Sequence, residues 1–353
     1  MKFLFFPIDC TPFHRNSLQE RPLGGTETGI IHLSNALAAL GHQVFVVSTQ
    51  NDTTANPFYI TSENVPKLGP VDVYVMIRSW RGIFMPVLCK KRFCWVGDAA
   101  NFNPNFGLGD QRVVNNLDGV ICVSDWHANS LCKSSGFPLH KTWILRNGVH
   151  LSDFNYNERR NPKRMIYTSQ PNRGLAFLHF IFSALKQKHP ELELHIFTGP
   201  IWLHQWNPDA HATNYMHIIE PLRKLEGCHL HGNVLQKELA KEYMRSAIWS
   251  YPTNFEETGC IAAMEAQAAG CAIVTSFLGA LEETVGNAGI LLKEQPGSKD
   301  YLERYVLEVD RILSNNALFN DLSQKGLERA KSFDWKLRAQ SFLEYLNNVH
   351  QLK

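Results

Sequence analysis

The chain has 353 residues, of which 44% are hydrophobic and 19% charged, and its formal net charge is +2. These values are ordinary for a globular protein and exclude a disordered or fibrous chain. The small net charge argues against a strongly basic nucleic-acid-binding protein. The basic clusters at 90–92 and 159–160 give no support for one either, because they are short and lack interleaved aromatic residues. At about 150 residues per domain, the length predicts two domains.

Cysteine usage and hydropathy indicate a cytoplasmic chain. The eight cysteines form no Cys-x-x-Cys pair and several lie in apolar strand patterns, which is typical of reduced, buried thiols. His229 and His231 have no Cys or His partner set close by in the sequence, so no metal site is expected. There is no run of about 18 apolar residues, and residues 1–7 are too short for a signal peptide. Peripheral contact with a membrane that carries a lipid-linked acceptor stays open.

In the first half, short apolar strands alternate with helical stretches, which predicts a parallel sheet covered on both faces. Gly24 and Gly25 open the first helix, where they would let the backbone approach a ligand in a conformation that a side chain blocks. A purely steric role in a tight turn is the alternative. The predicted strands of this half are residues 3–8, 43–48, 71–77, 92–96, 119–123 and 142–145.

The second half repeats the alternation after a polar segment, 155–164, which is the best linker candidate. The final ~55 residues are predicted to be helical throughout. We expect an N-terminal domain over 1–155, a C-terminal domain over 156–333, and a terminal helix over 334–353 that packs back on the first domain. The predicted strands of this half are residues 164–169, 192–198, 229–231, 248–251, 272–275 and 290–292.

The most informative segment is 254–270. Thr258 is a plausible N-cap for a helix that continues to Ala269, so the unpaired amides of Gly259, Cys260 and Ile261 would suit a phosphate. Glu257 would lie just outside this helix and Glu265 about two turns inside it, where both carboxylates could accept hydrogen bonds from sugar hydroxyls. The alternative is an amphipathic helix with two solvated glutamates.

Two further features point to the same ligand. Arg173 follows a strand and a turn, where its guanidinium could act as a bidentate donor to a diphosphate; an ordinary surface arginine is the alternative. The long loop between residues 199 and 226 carries Trp202 and Trp206, which could stack on a base or sugar or pack within their own domain. We hypothesise that this loop covers the donor.

Neither of two common nucleotide-binding patterns fits. The string from Gly24 to Gly29 resembles a Walker A loop, but Ile30 and Ile31 stand where Lys and Ser or Thr are required. No Gly-x-Gly-x-x-Gly occurs, which disfavours a nicotinamide-dependent dehydrogenase.

Residues 257–265 resemble the Glu-x7-Glu motif of the retaining GT-B glycosyltransferases of family 4, also called the group 1 glycosyltransferase family. The match continues through Glu265-Ala266 and Ala268-x-Gly270, with Gly259 in place of the usual aromatic residue. The resemblance extends over nearly the whole chain, through the segments Gly24–Glu27, Val120–Trp126, Arg146–Val149, Ser169–Leu175 and Phe333–Trp335.

The resemblance implies an α/β fold of the GT-B type. Two doubly wound Rossmann-like domains would face each other across a cleft, braced by C-terminal helices, with the acceptor on the first domain and the nucleotide sugar on the second. It implies that Glu265 binds the ribose hydroxyls, that Glu257 binds hydroxyls of the transferred sugar, and that the base meets the backbone at Val234. The expected catalytic residues are Glu257, Arg173 and Asp98, and the expected donor-binding residues are Gly24, Gly25, Gln170, Arg173, Val234, Glu257, Thr258, Gly259, Cys260, Ile261 and Glu265.

Two positions depart from the family pattern. Gln170 stands where members commonly carry an arginine, which leaves one expected cation, with Arg78, Arg81 and Arg146 as candidates to assist it. The segment Trp95–Asp98 lacks the histidine that members often place near the reacting centre. Asp98, Asn101 or Asn103 could orient an acceptor hydroxyl instead, and the fallback candidates are His14, His127 and His150.

The expected activity is hexosyl transfer from a nucleotide-diphosphate sugar to an acceptor hydroxyl, with a UDP-sugar favoured and a GDP-sugar next. Retention of anomeric configuration is implied by the resemblance alone. No cofactor or metal is expected, and the lack of any Asp-x-Asp agrees with this. The acceptor would be a sugar, glycan, lipid-linked or protein hydroxyl. A nucleotide-sugar-binding protein of the same fold without turnover is the alternative, and a phosphorylase is a weaker one.

Overall fold

The chain forms two compact units in a computed structural model that describes residues 1–99, 105–199 and 208–352. One unit comprises residues 1–150 together with 333–353, and the other comprises residues 151–332. Each unit contains one sheet whose neighbouring strands are all parallel. Among the described residues, no helix combines the length and the apolar character that crossing a membrane requires.

The sheet of the first unit has strand order β3-β2-β1-β4-β5-β6-β7. Its central strands are nearly continuous apolar runs because helices or loops cover both faces. β3 was not predicted. The elements are β1 (Lys2–Pro7), α1 (Ser17–Glu20), α2 (Gly25–Ala39), β2 (Gln43–Val47), β3 (Phe58–Ile60), β4 (Val71–Ile77), β5 (Cys89–Trp95), α3 (Gln111–Asn116), β6 (Gly119–Cys122), α4 (Asp125–Ser135) and β7 (Thr142–Ile144), with 3-10 helices at Ser62–Leu68, Trp80–Phe84 and Leu139–Lys141.

The second unit has strand order β10-β9-β8-β11-β12-β13. The polar segment 155–164 is not a free linker, because its last residues begin the first strand of this sheet. The elements are β8 (Asn161–Tyr167), α5 (Phe177–Lys188), β9 (Glu193–Ile196), α6 (Pro208–Arg223), β10 (Cys228–Leu230), α7 (Gln236–Arg245), β11 (Ser246–Tyr251), α8 (Ile261–Ala268), β12 (Ala272–Ser276), α9 (Leu281–Val285), β13 (Gly289–Leu292), α10 (Lys299–Ser314) and α11 (Asn316–Ala330), with 3-10 helices at Leu151–Phe154, Gly286–Ala288 and Lys331–Phe333.

Strand order reverses direction once in each sheet. In the first unit β1 lies between β2 and β4, and in the second unit β8 lies between β9 and β11. Chain connections leave such a position toward opposite faces of the sheet, so a crevice opens beyond the carboxyl ends of these strands. Each unit is therefore a doubly wound, Rossmann-like α/β domain, as the sequence predicts.

The last helix, α12 (Trp335–His350), belongs to the first unit. Its Phe342 stacks on Trp143 with ring centroids 5.5 Å apart and lies 6.1 Å from the ring of Phe3. The segment before the helix packs on Gly148, where a Cβ would lie 2.7 Å from the Trp335 ring and 2.8 Å from the carbonyl oxygen of Phe333. Close packing of the C-terminal segment therefore requires a glycine at this position of the Arg146–Val149 motif.

We expect Gly148→Ala to lower the free energy of unfolding by about 1–3 kcal/mol, because the new methyl group would overpack against an indole and a backbone carbonyl. Chemical denaturation measures the change. The matched control is Gly97→Ala, since no atom of the described residues lies within 4 Å of a Cβ built there. Equal stability of the two variants would contradict the packing described for Gly148.

Candidate active site

The expected donor site of the second unit lies beyond the carboxyl ends of β8 and β11, where the strand order reverses. The loop after β8 and the loop after β11 touch at Gly174, which has φ +86° and whose added Cβ would collide with the carbonyl oxygen of Pro252. Only glycine permits both this conformation and this approach. As a result, Arg173 and Glu257 form an ion pair, with 3.0 Å between Nη1 and Oε1.

Glu257 is buried and held through both its backbone and its side chain. Its Oε1 also accepts a hydrogen bond of 2.5 Å from the hydroxyl of Tyr251, and its carbonyl oxygen accepts one of 2.7 Å from the amide of Ala280. Gly279, at φ +59°, makes this possible, since a Cβ there would lie 2.5 Å from the Glu257 carbonyl oxygen. The carboxylate therefore has a fixed orientation. Gly174, Gly279 and Tyr251 were not among the residues predicted from the sequence.

Arg173 makes a second contact through the face of its guanidinium, whose central carbon lies 4.0 Å from the ring centroid of Phe255. Burial opposes the charged form, but the interactions with Glu257, Tyr251 and Cys260 together outweigh it and raise the pKa of Arg173, with Glu257 contributing most among them. The guanidinium thus stays cationic. Its side chain is 31% exposed, so a ligand can reach it while Glu257 beneath it is almost fully covered.

Helix α8 begins at Ile261 with Cys260 as N-cap, so the prediction that Thr258 caps this helix is wrong. The first helical hydrogen bond runs from the amide of Met264 to the carbonyl of Cys260. The first-turn amides are consequently those of residues 261–263, and of the three amides predicted to meet a phosphate only that of Ile261 belongs to them.

Glu265 lies one turn inside α8, not two as expected, because the helix starts later. Its buried carboxylate accepts hydrogen bonds from the side-chain amide of Gln236 and from the hydroxyl of Tyr243. Burial raises its pKa to about 8, although these two hydrogen bonds act in the opposite direction. The sequence indicated neither partner.

Gln170 and Val234 occupy loops on the same sheet edge. The carbonyl oxygen of Gln170 accepts hydrogen bonds from the hydroxyl of Tyr167, at 2.6 Å, and from the amide of Arg173, at 3.0 Å, which closes the turn that presents Arg173. Val234 lies between β10 and α7, two residues before Gln236. Thr258, Gly259 and Cys260 form the loop that leads from Glu257 into α8.

The first unit also gathers polar groups at its strand-order reversal. Arg78, which follows β4 and has φ +75°, pairs with both carboxylate oxygens of Asp98 at 2.9 and 3.3 Å. Glu27 on α2 is fully buried, and its Oε1 accepts a hydrogen bond of 2.8 Å from the amide of Thr11. Its other oxygen has no hydrogen-bond partner within the described ranges, and burial raises its pKa.

An imidazole does reach Asp98, although the segment Trp95–Asp98 contains none. Nε2 of His127 donates a hydrogen bond of 2.9 Å to the Asp98 carbonyl oxygen, and its Nδ1 accepts one from the amide of Val123. Burial lowers the pKa of His127 to about 4, so the ring is neutral. His127 lies on α4, near the end of β6, and 29 positions separate it from Asp98, so the sequence alone could not indicate this contact.

The remaining candidates are placed as follows. His14 pairs with Glu20, and His150 stacks on His32. Arg146 pairs with Asp125, and Arg81 lies over the ring of Trp80. Asn101, Asn103, Trp202 and Trp206 fall outside the described residues.

Gly24 is the N-cap of α2 with φ −73° and ψ 165°, an extended conformation open to any residue. The conformational argument made for it from the sequence is therefore wrong. Gly25 is the first residue of the helix.

The known proteins that this chain resembles in sequence include glycosyltransferases. Residues 163–312 match the family described as Glycosyl transferases group 1. A D-inositol 3-phosphate glycosyltransferase of Kribbella flavida is 23% identical over 256 residues, and the match covers 67% of this chain but 58% of the relative. The chain thus spans little more than half the length of that relative.

Two solved structures have the same fold over the full length of the chain. A glycosyltransferase from Rickettsia africae superposes with a TM-score of 0.73 and 16% identity, with 100% of each chain covered. Anabaena HepE, determined in complex with UDP and glucose, superposes with a TM-score of 0.72 and 13% identity, again with 100% of each chain covered.

The class is therefore defined: the chain has the GT-B fold of two Rossmann-like domains with C-terminal helices. Residues 163–312, within its second unit, match the group 1 glycosyltransferases. Both statements confirm the resemblance recognised in the sequence.

The raised pKa of Glu265 predicts a specific dependence of stability on pH. Between about pH 4.5 and 8 the folded state holds a proton that the unfolded state has lost, so stability falls as pH rises through this window. The Glu265→Gln variant has no carboxyl group to titrate at this position, but it keeps a side-chain oxygen that can accept a hydrogen bond from Gln236. We expect the difference in unfolding free energy, variant minus wild type, to grow from pH 5 to 8 by at most about 1.4 kcal/mol per pH unit. A constant difference in denaturation experiments would refute this prediction.

Proposed function

We propose that this protein transfers a hexosyl group from a nucleotide-diphosphate sugar, with UDP as the favoured nucleotide, to an acceptor hydroxyl. The reaction proceeds with retention of configuration and without a metal ion. The observation that carries the proposal is the Arg173–Glu257 ion pair at the carboxyl ends of β8 and β11, with α8 starting four residues after Glu257.

The start of α8 and Arg173 together suit a diphosphate. The first-turn amides of residues 261–263 have no acceptor within the helix, and the helix dipole places partial positive charge beside them. We assign the phosphate to these first-turn amides. Gly259 and Cys260 then shape the approach to the helix rather than its first turn.

Positive charge at this place has a chemical role. Cleavage of the bond between sugar and phosphate leaves negative charge on the diphosphate, and donors that are fixed in advance stabilise that charge as it develops. Arg173 is held in place by Phe255 and Glu257, so little reorganisation is needed when the charge appears. A divalent cation commonly performs this task in other enzymes, and here the amides and the guanidinium supply the charge instead.

The two glutamates are assigned different ligands. Glu257, oriented by Tyr251 and Arg173, accepts hydrogen bonds from hydroxyls of the transferred sugar. Glu265, one turn inside α8, accepts hydrogen bonds from the ribose hydroxyls, and the backbone at Val234 meets the base. Hydroxyls suit Glu265 because they can donate to the ionised carboxyl or accept a hydrogen bond from the protonated one.

The acceptor is assigned to the first unit. Glu27, Arg78 and Asp98 place ionisable groups beyond the ends of β1, β4 and β5, which is where a doubly wound sheet binds its ligand. Asp98 is held by Arg78 and, through its carbonyl, by His127, so it can orient an acceptor hydroxyl in the place of the absent family histidine. The acceptor class is a sugar, glycan, lipid-linked or protein hydroxyl.

Glu257→Gln tests the chemistry, because it removes the carboxylate charge that pairs with Arg173 while keeping the side-chain shape. We expect the rate of donor hydrolysis or transfer, measured with a panel of UDP-sugars and GDP-sugars, to fall about 10²–10³-fold. Glu256→Gln is the matched control, since Glu256 is the exposed neighbour.

Equal rates in the two variants would refute the role given to Glu257. Tight donor binding by the wild-type protein without any turnover would support the alternative of a nucleotide-sugar-binding protein.

Nucleoside diphosphates test the donor site independently of the acceptor. In buffer containing EDTA, UDP at about 100-fold over its dissociation constant should raise the melting temperature by roughly 5–10 °C, and more than GDP, ADP or TDP at equal concentration. Arg173→Ala should lose most of this shift, whereas Arg223→Ala, which removes an exposed arginine of the same unit, should keep it. A UDP shift that requires a divalent cation would contradict the metal-free proposal.

A further inference from the structure

Parallel pairing of β9 with β10 gathers side chains that the proposed reaction does not use. His195 on β9 lies opposite His229, its register partner on β10. Glu193 is two residues before His195, and residues two apart along a strand point to the same face. One ligand atom from each of Glu193, His195 and His229 lies within 4.8 Å of the others, a grouping that no local sequence spacing indicates.

We propose that Glu193, His195 and His229 bind a zinc-class transition-metal cation. Two imidazole nitrogens and one carboxylate oxygen form a common three-ligand set for Zn²⁺, and water takes the fourth position of the tetrahedron. Glu193 and His195 are partly buried and His229 is exposed, so the open position faces solvent. A shift of about an ångström in the side chains would bring the ligand atoms to the ~2 Å bonds that zinc requires.

One outer partner of His195, the imidazole of His231, suits a bound metal. Its Nε2 lies 3.3 Å from Oε2 of Glu193, and its Nδ1 lies 2.9 Å from Nε2 of His231. With the metal on Nε2, the proton moves to Nδ1 and is donated to His231. Metal-binding histidines are typically fixed in this way by a second hydrogen bond. His231 is itself held by parallel stacking on Phe197, with ring centroids 4.4 Å apart.

The nearby Arg164 does not prevent cation binding. Its guanidinium approaches Nδ1 of His195 to 2.9 Å, but it is paired with the carboxylate of Glu242. With Arg164 and Glu242 neutralising each other, Glu193 leaves the immediate surroundings with a net negative charge, which favours a cation. In the metal-bound form Nδ1 of His195 carries the ring proton and donates it to His231, so the guanidinium of Arg164 moves off Nδ1 and keeps only Glu242.

A cation here would join β10 to β9. β10 is the edge strand of its sheet, has only three residues, and leads into the loop that carries Val234. Two ligands from β9 and one from β10 would add a link between strands that otherwise share few backbone hydrogen bonds. The inference does not depend on the proposed transfer reaction, whose charged groups Arg173 and Glu257 follow β8 and β11.

The test is Zn²⁺ binding by the untagged full chain after EDTA treatment and desalting, measured by isothermal titration calorimetry. We expect one equivalent of Zn²⁺ per chain and a melting temperature raised by the metal. His195→Ala and His229→Ala should each lose the site, whereas His140→Ala, which removes an exposed histidine of the first unit, should keep it. His231→Ala should keep the stoichiometry and lower the affinity about 10–100-fold.

Cobalt(II) distinguishes this site from the eight thiols of the chain. Bound at Glu193, His195 and His229, Co²⁺ should give visible d–d absorption without a thiolate charge-transfer band. No Zn²⁺ binding by the wild-type chain, a thiolate band, or equal affinity of the His229→Ala and His140→Ala variants would each overturn the proposal. Circular dichroism of the metal-free variants ensures that loss of binding is not loss of fold.

Discussion

The ion pair between Arg173 and Glu257 is the interaction on which the architecture of the second unit's site depends. Charges taken out of water are costly unless they are paired and hydrogen-bonded, and here Tyr251 and Phe255 complete the surroundings of the pair. The pair can form only because two loops approach each other without side chains in the way. Gly174 and Gly279 supply that approach, so these two glycines and the two charges act as one unit.

Helix α8 shows how composition supports this arrangement. Its alanines let the helix backbone lie close to its neighbours. On α11, a Cβ added at Gly326 would lie 3.5 Å from the Cα of Gln267. Gln267 is fully buried and donates to the carbonyls of Ala263 and Thr284, which ties α8 to α9. A helix packed this tightly holds its first turn in a fixed position, which is what an anion site made of backbone amides requires.

The two units use the same topology for different chemistry. In each, polar side chains follow the strands on either side of the reversal in strand order, because that is where adjacent loops diverge. In the second unit these groups are the partly exposed cation Arg173, the start of α8 and the buried carboxylate of Glu257. In the first unit the residues are mainly acidic, with Arg78 held at a strained positive φ against Asp98. Strain of this kind persists where surrounding contacts enforce it, as they commonly do at functional sites.

Local pattern determined much of this protein from the sequence alone. The strand at Val71–Ile77 was predicted with its observed bounds, since all of its residues except Asp72 are apolar and buried. β3 was missed because three residues carry too little pattern. The start of α8 was misplaced because the carbonyl of Cys260, not that of Thr258, accepts the first helical hydrogen bond. That Arg173, Glu257 and Glu265 belong to one site was predicted from a family resemblance rather than from spacing.

Only the tertiary structure decided which of these residues touch. Arg173 and Glu257 are 84 positions apart, His127 meets Asp98 across 29, and His195 meets His231 across 36. Such pairings follow from the order and register of parallel strands and from the places where glycine lets two loops meet. Hydrophobic periodicity records which face of an element is buried, but it carries no information about which strand lies next to it, and that is why these contacts could not be derived from the chain by itself.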